Sequence, residues 1–276
     1  MRGQCMAGGA AMARSGSEDT LARGSFVRVL RAEALKSMHG APVRLATVLA
    51  LPFPLLAAFV ALSVPQFGLS YSPWNYWYAL LMPVSITLIA ATVANADARL
   101  GNHTLLSSGV PLHLAWGAKV AWCLALLLLS NLVVFAVYAV MSLVVPQGAA
   151  SMSAMLAVAL ALTVMGSWMI PATHFLTMRV GMLAGVFVPL AVQLALSLGW
   201  SVVPFWPACP PAATIVLPTA FLPVLPSGEP ASPGMALVES ISQGPDVALA
   251  LIVAAVLTAA LTAAGAVWLD RSEELR

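Results

Sequence analysis

Long apolar stretches separated by short polar segments make up most of this chain. Six stretches reach the roughly 20 residues that an α-helix needs to cross a bilayer. The fourth and fifth are separated by three residues, 177–179, so we expect them to form a tight helical hairpin. The pattern predicts an all-α integral membrane protein with six transmembrane helices at about 43–64, 74–94, 120–143, 154–176, 180–203 and 247–269.

Composition agrees with this prediction. Of the 276 residues, 61% are hydrophobic and 8% are charged, and the mean hydropathy is +0.95. Soluble domains carry about 25% charged residues, so the chain has too few to cover a water-exposed surface. The net charge of +2 and the lack of a basic patch with interleaved aromatics argue against a nucleic-acid partner. The three cysteines, Cys5, Cys123 and Cys209, do not form a disulfide framework or a CxxC metal motif.

The first residues, 1–24, are rich in Gly, Ala and Ser and are predicted to be a disordered cytoplasmic N-terminus. They lack the apolar core of a signal peptide, so we expect no cleaved leader or lipid anchor. Residues 25–276 are predicted to form a single transmembrane domain.

Basic residues alternate along the inter-span segments. The segments 65–73, 144–153 and 204–246 contain no Lys or Arg. Cytoplasmic loops carry the excess of Lys and Arg, so both termini are predicted to be cytoplasmic. The basic residues are Arg2, Arg14, Arg23, Arg28, Arg31, Lys36 and Arg44 up to the first span, Arg99 and Lys119 between spans two and three, Arg179 between four and five, and Arg271 and Arg276 after six.

Aromatic residues cluster on the predicted outer side, where amphipathic rings settle at the headgroup level of a bilayer. We expect this position for the rings at the start of span two, which are Tyr71, Trp74, Tyr76, Trp77 and Tyr78. The proline-rich stretch 204–226, within the segment 204–246, predicts broken helices partly embedded at the same side, since lipid tolerates irregular backbone only where protein or water satisfies it.

The segment between spans two and three, "DARLGNHTLLSSGVPLHLAWGAK", mixes charged and apolar residues. Leu100, Leu105 and Leu106 form an apolar stripe, and Pro111 marks the start of the next helix. This predicts a short interfacial helix and a turn. The segment is longer than a plain connector, which favours docking onto a partner. An ordinary polar loop is the alternative.

Before the first span, "SFVRVLRAEALKSMHGAP" predicts an amphipathic helix in the membrane interface, with Ser25 as its N-cap. Its cations would favour anionic lipid. An ordinary basic flank without a partner is the alternative.

Few polar residues lie inside the spans. Asn131, His174 and Gln193 are candidates for an intramembrane polar site, because such groups are costly to expose to lipid. His174 lies near the predicted inner end of span four, where an interfacial histidine is the expected role. The motifs GxxxxGK[ST], HExxH and GxSxG do not occur, so we expect neither nucleotide hydrolysis nor another catalytic activity in this chain.

Three stretches together resemble the ABC-2 type transporter permeases, and in particular the lantibiotic-immunity (bacteriocin self-protection) permeases of bacteria. The resemblance covers residues 26–276. The three stretches are "RVLRAEALKSMHGAPVRLATVLALPFPLL", "WYALLMPVSITLIAATVANADARLGNHTLLSSGVPLHLAWGAK" and "FWPACPPAATIVLPTAFLPVLPSG".

The resemblance implies an architecture and a set of partners. It implies six spans, an N-terminal elbow helix at about 26–38, a cytoplasmic coupling helix within 97–111, and re-entrant outer helices before span six. Two permease subunits, identical or related paralogues, would assemble with two copies of a separate ABC ATPase, which would bind ATP and Mg while this chain binds no cofactor. The implied ATPase-coupling residues are Asp97, Arg99, Gly101, Leu105, Leu106, Pro111 and Lys119.

The resemblance implies a function in the bacterial plasma membrane. The chain would be the permease subunit that expels an amphipathic peptide, a lantibiotic, from the membrane and so protects the producing cell. Two alternatives stay open: an ABC-2 permease for another drug or lipid, and a non-transporting membrane scaffold protein.

Overall fold

The computed structural model describes residues 26–98, 110–232, 234–241 and 244–274. These parts of the chain are helical, and the β contact recorded among them is an isolated bridge between Val224 and Pro230. The predicted N-terminal region 1–24 lies outside the described residues. The helices are α1 (26–37), α2 (Ala41–Val48), α3 (Pro52–Ser63), α4 (Ser72–Tyr76), α5 (Met82–Ala98), α6 (Leu112–Val144), α7 (Met152–Gly166), α8 (Met169–Arg179), α9 (Met182–Leu198), α10 (Pro210–Val216), α11 (Ala236–Ile241) and α12 (Gly244–Glu274).

Five helical segments are long and apolar enough to cross a membrane, which indicates a multi-pass membrane protein. Three of them are interrupted. A turn at Ser167 and Trp168 separates α7 from α8, and α2 and α3 are separated before Pro52, whose ring nitrogen has no hydrogen to donate. A π-helical turn, Trp77–Leu81, joins α4 to α5. The five segments are Ala41–Ser63, Ser72–Ala96, Leu112–Val144, Met152–Arg179 and Gly244–Arg271.

The predicted fifth span, 180–203, corresponds to α9, an apolar helix of 17 residues that is shorter than the other five segments. Gly181 forms the turn between α8 and α9 with a φ of +128°, a backbone conformation that favours glycine. Gly185 then brings α9 against Thr177 of α8. The tight hairpin expected at this point is confirmed, and the full count of six spans stays a prediction.

The centre of the bundle is aromatic, because α4, the π-helical turn and α5 are surrounded by other helices. Trp74, Trp77 and Tyr78 are fully buried there, and Met82 follows them into the core. The expectation that the rings at 71–78 line a headgroup surface is therefore wrong for most of them. Tyr76 is the exception at 45% exposure. Aromatic rings of this size bury more of their surface inside a packed core than at an interface.

The α8–α9 hairpin depends on a side chain of minimal size at Gly185. A Cβ atom there would overlap the Thr177 hydroxyl and crowd the backbone of α8. We expect Gly185→Ala to destabilise the protein by about 1–3 kcal/mol, the usual cost of overpacking a tight contact. Thermal unfolding in detergent measures the change. Gly244→Ala is the matched control, since nothing lies within 4 Å of a Cβ at that site. Equal midpoints for the two variants would contradict the close helix contact.

Candidate functional site

The start of α6 is the place where the described structure meets the predicted coupling segment. Pro111 precedes α6 and is exposed, while Asp97 belongs to the last turn of α5. The predicted coupling residues Arg99, Gly101, Leu105 and Leu106 lie outside the described residues. The helix begins at Leu112, directly after Pro111 as the sequence predicted, and so starts before the apolar span predicted at 120–143. The predicted coupling segment is therefore followed at once by α6.

This early start changes the position of Lys119. The residue lies about 10 Å along α6 from Leu112, at 1.5 Å per residue, and its side chain is 4% exposed. Its Nζ donates to Oε2 of Glu33 in α1 at 3.3 Å. The other carboxylate oxygen of Glu33 accepts from Nζ of Lys36 at 2.9 Å. Lys119, one of the residues implied to couple the chain to an ATPase, is therefore buried against α1.

The first turns of α6 contact three other helices. A Cβ at Gly117 would lie 3.6 Å from the Phe26 ring, which places α1 against this turn. The Trp116 ring covers Gly265 of α12, where a Cβ would overlap it. It also meets the His174 ring of α8 edge-on, with 5.8 Å between the ring centroids. We call this contact region the α6 junction; it consists of Glu33, Trp116, Gly117, Lys119 and His174.

His174 is fully buried at the junction, in contrast to the interfacial position expected from the sequence. Its Nδ1 is 2.9 Å from the Ile170 carbonyl oxygen one helical turn back. Within the described structure its Nε2 has no hydrogen-bond partner. A second, weaker link lies nearby at the ends of α6 and α12, where His113 Nδ1 and Asp270 Oδ2 are 3.5 Å apart and both side chains are about half exposed.

Asn131 is buried farther along α6 and joins three segments. Its Oδ1 accepts from Trp77 Nε1 at 3.0 Å, and its Nδ2 donates to Thr163 Oγ1 of α7 at 3.1 Å. Thr163 in turn donates to the Ala159 carbonyl. The side-chain amide thus has a partner on each side, and its role in this arrangement is to hold helices together.

Gln193 is buried in α9 and faces α10. Its Nε2 donates to the Pro211 carbonyl at 3.4 Å. Asn131 lies 15 residues after Trp116 on α6, about 22 Å along the axis. Asn131 and Gln193 therefore lie on different helix contacts from His174. The structure does not bring the three candidates of the predicted intramembrane site together into one cluster.

The opposite end of α6 carries an aromatic cluster and the proline-rich stretch. Tyr138 stacks on Tyr71 at a centroid distance of 5.2 Å and lies 4.6 Å from Trp74. The Tyr71 hydroxyl accepts from the Ala150 amide at 2.7 Å, and burial raises the pKa of this tyrosine. Asn75 Nδ2 donates to the Leu225 carbonyl at 3.3 Å, which fastens the proline-rich stretch to α4.

Glu33 is the functional candidate that the sequence analysis did not single out. It is the single acid of α1, and it lies three and seven residues after Leu30 and Phe26, on the helix face that packs against α6. That position was the available signal, because an acid on the packed face of a helix needs a partner. Among the described residues, no group of three His, Cys, Asp or Glu side chains is arranged to hold a metal ion.

The Asn131 links make a direct prediction. Asn131→Leu removes the acceptor for Trp77 and the donor to Thr163, so we expect a loss of about 1–2 kcal/mol, as for interhelical hydrogen bonds in membrane proteins. Unfolding of the purified protein in mixed micelles measures it. Thr262→Ala is the control, since the Thr262 hydroxyl donates to the Thr258 carbonyl in its own helix. A Leu variant as stable as that control would mean that the links contribute nothing.

Comparison with known proteins adds no relative: no family model, no curated protein and no solved structure matches the chain.

Proposed function

We propose that this chain is the permease subunit of an ATP-binding cassette transporter of the ABC-2 type, and that the transporter expels an amphipathic peptide, a lantibiotic, from the bacterial plasma membrane. Both termini face the cytoplasm. A separate ATPase, present in two copies, binds ATP and Mg, and a second permease, identical or related, completes the membrane part.

The arrangement around α6 is the observation that supports this proposal most. The polar segment 99–109 joins the last turn of α5 to the first turn of α6. Those first turns contact α1 through Gly117 and Lys119, and α8 and α12 through Trp116. A partner that pushes on the segment would therefore move a helix that is packed against three others, which is the geometry that energy transfer from a soluble motor needs.

The length of α6 extends this coupling to the other end of the bundle. The helix has 33 residues and is about 50 Å long. Along it lie the Asn131 links to Trp77 and Thr163 and, beyond them, Tyr138 in the aromatic cluster. Packed side chains transmit displacement because a close-packed interior is not compressible. A displacement at the coupling segment would thus reach the end where the proline-rich stretch is fastened by Asn75.

The substrate class rests on the resemblance to the lantibiotic-immunity permeases. Lateral entry of a membrane-bound peptide at the 71–78 rings has little support from the structure, since Tyr76 is the exposed ring of that group.

Charge reversal tests the docking of the ATPase. Asp97→Lys combined with Arg99→Glu should weaken the binding of a co-expressed ABC ATPase by about thirtyfold or more and so reduce its co-purification, because two charged contacts of about 1 kcal/mol each would be lost and replaced by repulsion. Arg179→Glu is the control: it reverses an exposed cation on the same predicted side, at the α8–α9 turn. Undiminished co-purification and transport in the double variant would contradict the coupling role of 97–111.

Peptide resistance tests the substrate. Cells that express the chain with its ATPase should survive a lantibiotic concentration that kills cells expressing either alone, or the chain with an ATPase whose Walker lysine is changed to alanine. Protection against a drug or lipid in place of the peptide would indicate an ABC-2 permease for another substrate. A chain that binds no ATPase and protects against nothing would be a scaffold, and the proposal would be wrong.

A further inference from the structure

Two opposite charges are buried together where α1 meets α6. Among the Asp, Glu, Lys and Arg side chains that the structure describes, Glu33 and Lys119 are the buried ones, at 6% and 4% residue exposure. The others whose side chains are described are partly or fully exposed. The two buried side chains come from different helices and are joined at 3.3 Å. The ion pair therefore links α1, which precedes the apolar spans, to α6, which contains one of them.

The two cations on Glu33 are not equivalent. Lys36 lies one turn away in α1, and its side chain is 47% exposed, so water can solvate its ammonium group. Lys119 is 4% exposed, so protein groups, the Glu33 carboxylate among them, take the place of water around its ammonium group. Removing one member of a buried pair is far more disruptive than removing one member of an exposed pair, because it leaves a charge in an apolar site.

The Glu33–Lys119 pair lies close to the start of α6. The Phe26 ring lies over Gly117, two residues before Lys119 on α6. Lys119 is seven residues after Leu112, which begins the helix that follows the 99–109 segment. On the other side of α1, Val27 and Leu35 are 63% and 60% exposed, so few protein contacts hold that side.

We propose that Glu33 and Lys119 form an ionic latch that holds α1 on the first turns of α6. The latch joins α1 to the α6 junction, so that α1 follows any movement of the first turns of α6. Glu33 and Lys119 are positioning residues in this account. The latch itself does not depend on the proposed function, since it needs neither an ATPase nor a substrate.

Limited proteolysis of the full chain in detergent micelles tests the latch. Trypsin cuts after Arg31 only when α1 leaves the bundle and unfolds locally, so the rate of that cut reports the opening of the helix. The cut is followed by the mass of the fragments. Lys119→Gln should accelerate it by roughly tenfold or more, and Lys36→Gln, which removes the exposed cation from the same carboxylate, should change it by less than about twofold.

The charge-swapped protein, with Glu33→Lys and Lys119→Glu, completes the test and is made together with Lys36→Gln, so that no like charge faces the introduced lysine. Trypsin can also cut after that lysine, so cleavage after positions 31 and 33 is counted together. Restoring the attraction should return the summed rate to near that of the parent, whereas a role of either residue in shape alone would not be restored. If Lys119→Gln does not accumulate, a swapped protein that accumulates and resists trypsin supports the latch. Parent-like cleavage of Lys119→Gln, or a swapped protein that stays as sensitive as the single variant, overturns it.

Discussion

A polar side chain inside a bundle of apolar helices must find its partner within the protein, and this requirement shapes the structure. Three such groups on the long helix α6 meet a group on another segment. Ser130 donates to the Ala46 carbonyl of α2, Asn131 links Trp77 to Thr163, and Lys119 pairs with Glu33 of α1. Apolar contacts alone would allow the helices to slide along one another. The polar links fix their register, because sliding by one turn would leave a buried group unpaired.

The helical class and the places of the long apolar helices could be predicted from hydrophobic length alone. The start of α6 could be predicted from Pro111, but the burial of its first turns could not. The window from 112 to 119 contains His113 and Lys119, which lower its hydropathy, and the partner that makes Lys119 acceptable lies 86 residues earlier. A sequence window has no access to such a pairing. The same limit explains the 71–78 rings: their amphipathic chemistry suits an interface, and the neighbours that bury them come from α6 and α10.

The candidate site was predictable in outline. Asn131, His174 and Gln193 were candidates for an intramembrane polar site, and all three are buried, although an interfacial role was expected for His174. Their separation along different helix contacts depends on how α8, α9 and α10 pack, which hydropathy does not encode. The contact between Trp116 and Gly265 likewise depends on a glycine that the sequence presents only as one small residue in an alanine-rich helix.

In the permease proposal, α6 is the helix that receives a displacement from the ATPase and transmits it through the bundle. The buried pair adds α1 to that element, and the junction residues Trp116 and Gly117 hold it against its neighbours. Everything then depends on the side of the membrane at which α6 begins, because a soluble ATPase can reach only one face.

Cysteine labelling measures that side directly. In a protein whose native residues Cys5, Cys123 and Cys209 are replaced by alanine, a single cysteine at Ser107 or Ser108 would be treated with a membrane-impermeant maleimide. A cysteine at Ser227, in the segment without basic residues, serves as the opposite reference. The account predicts labelling at 107 or 108 in inside-out vesicles and at 227 in intact cells. Labelling at 107 or 108 in intact cells would contradict it.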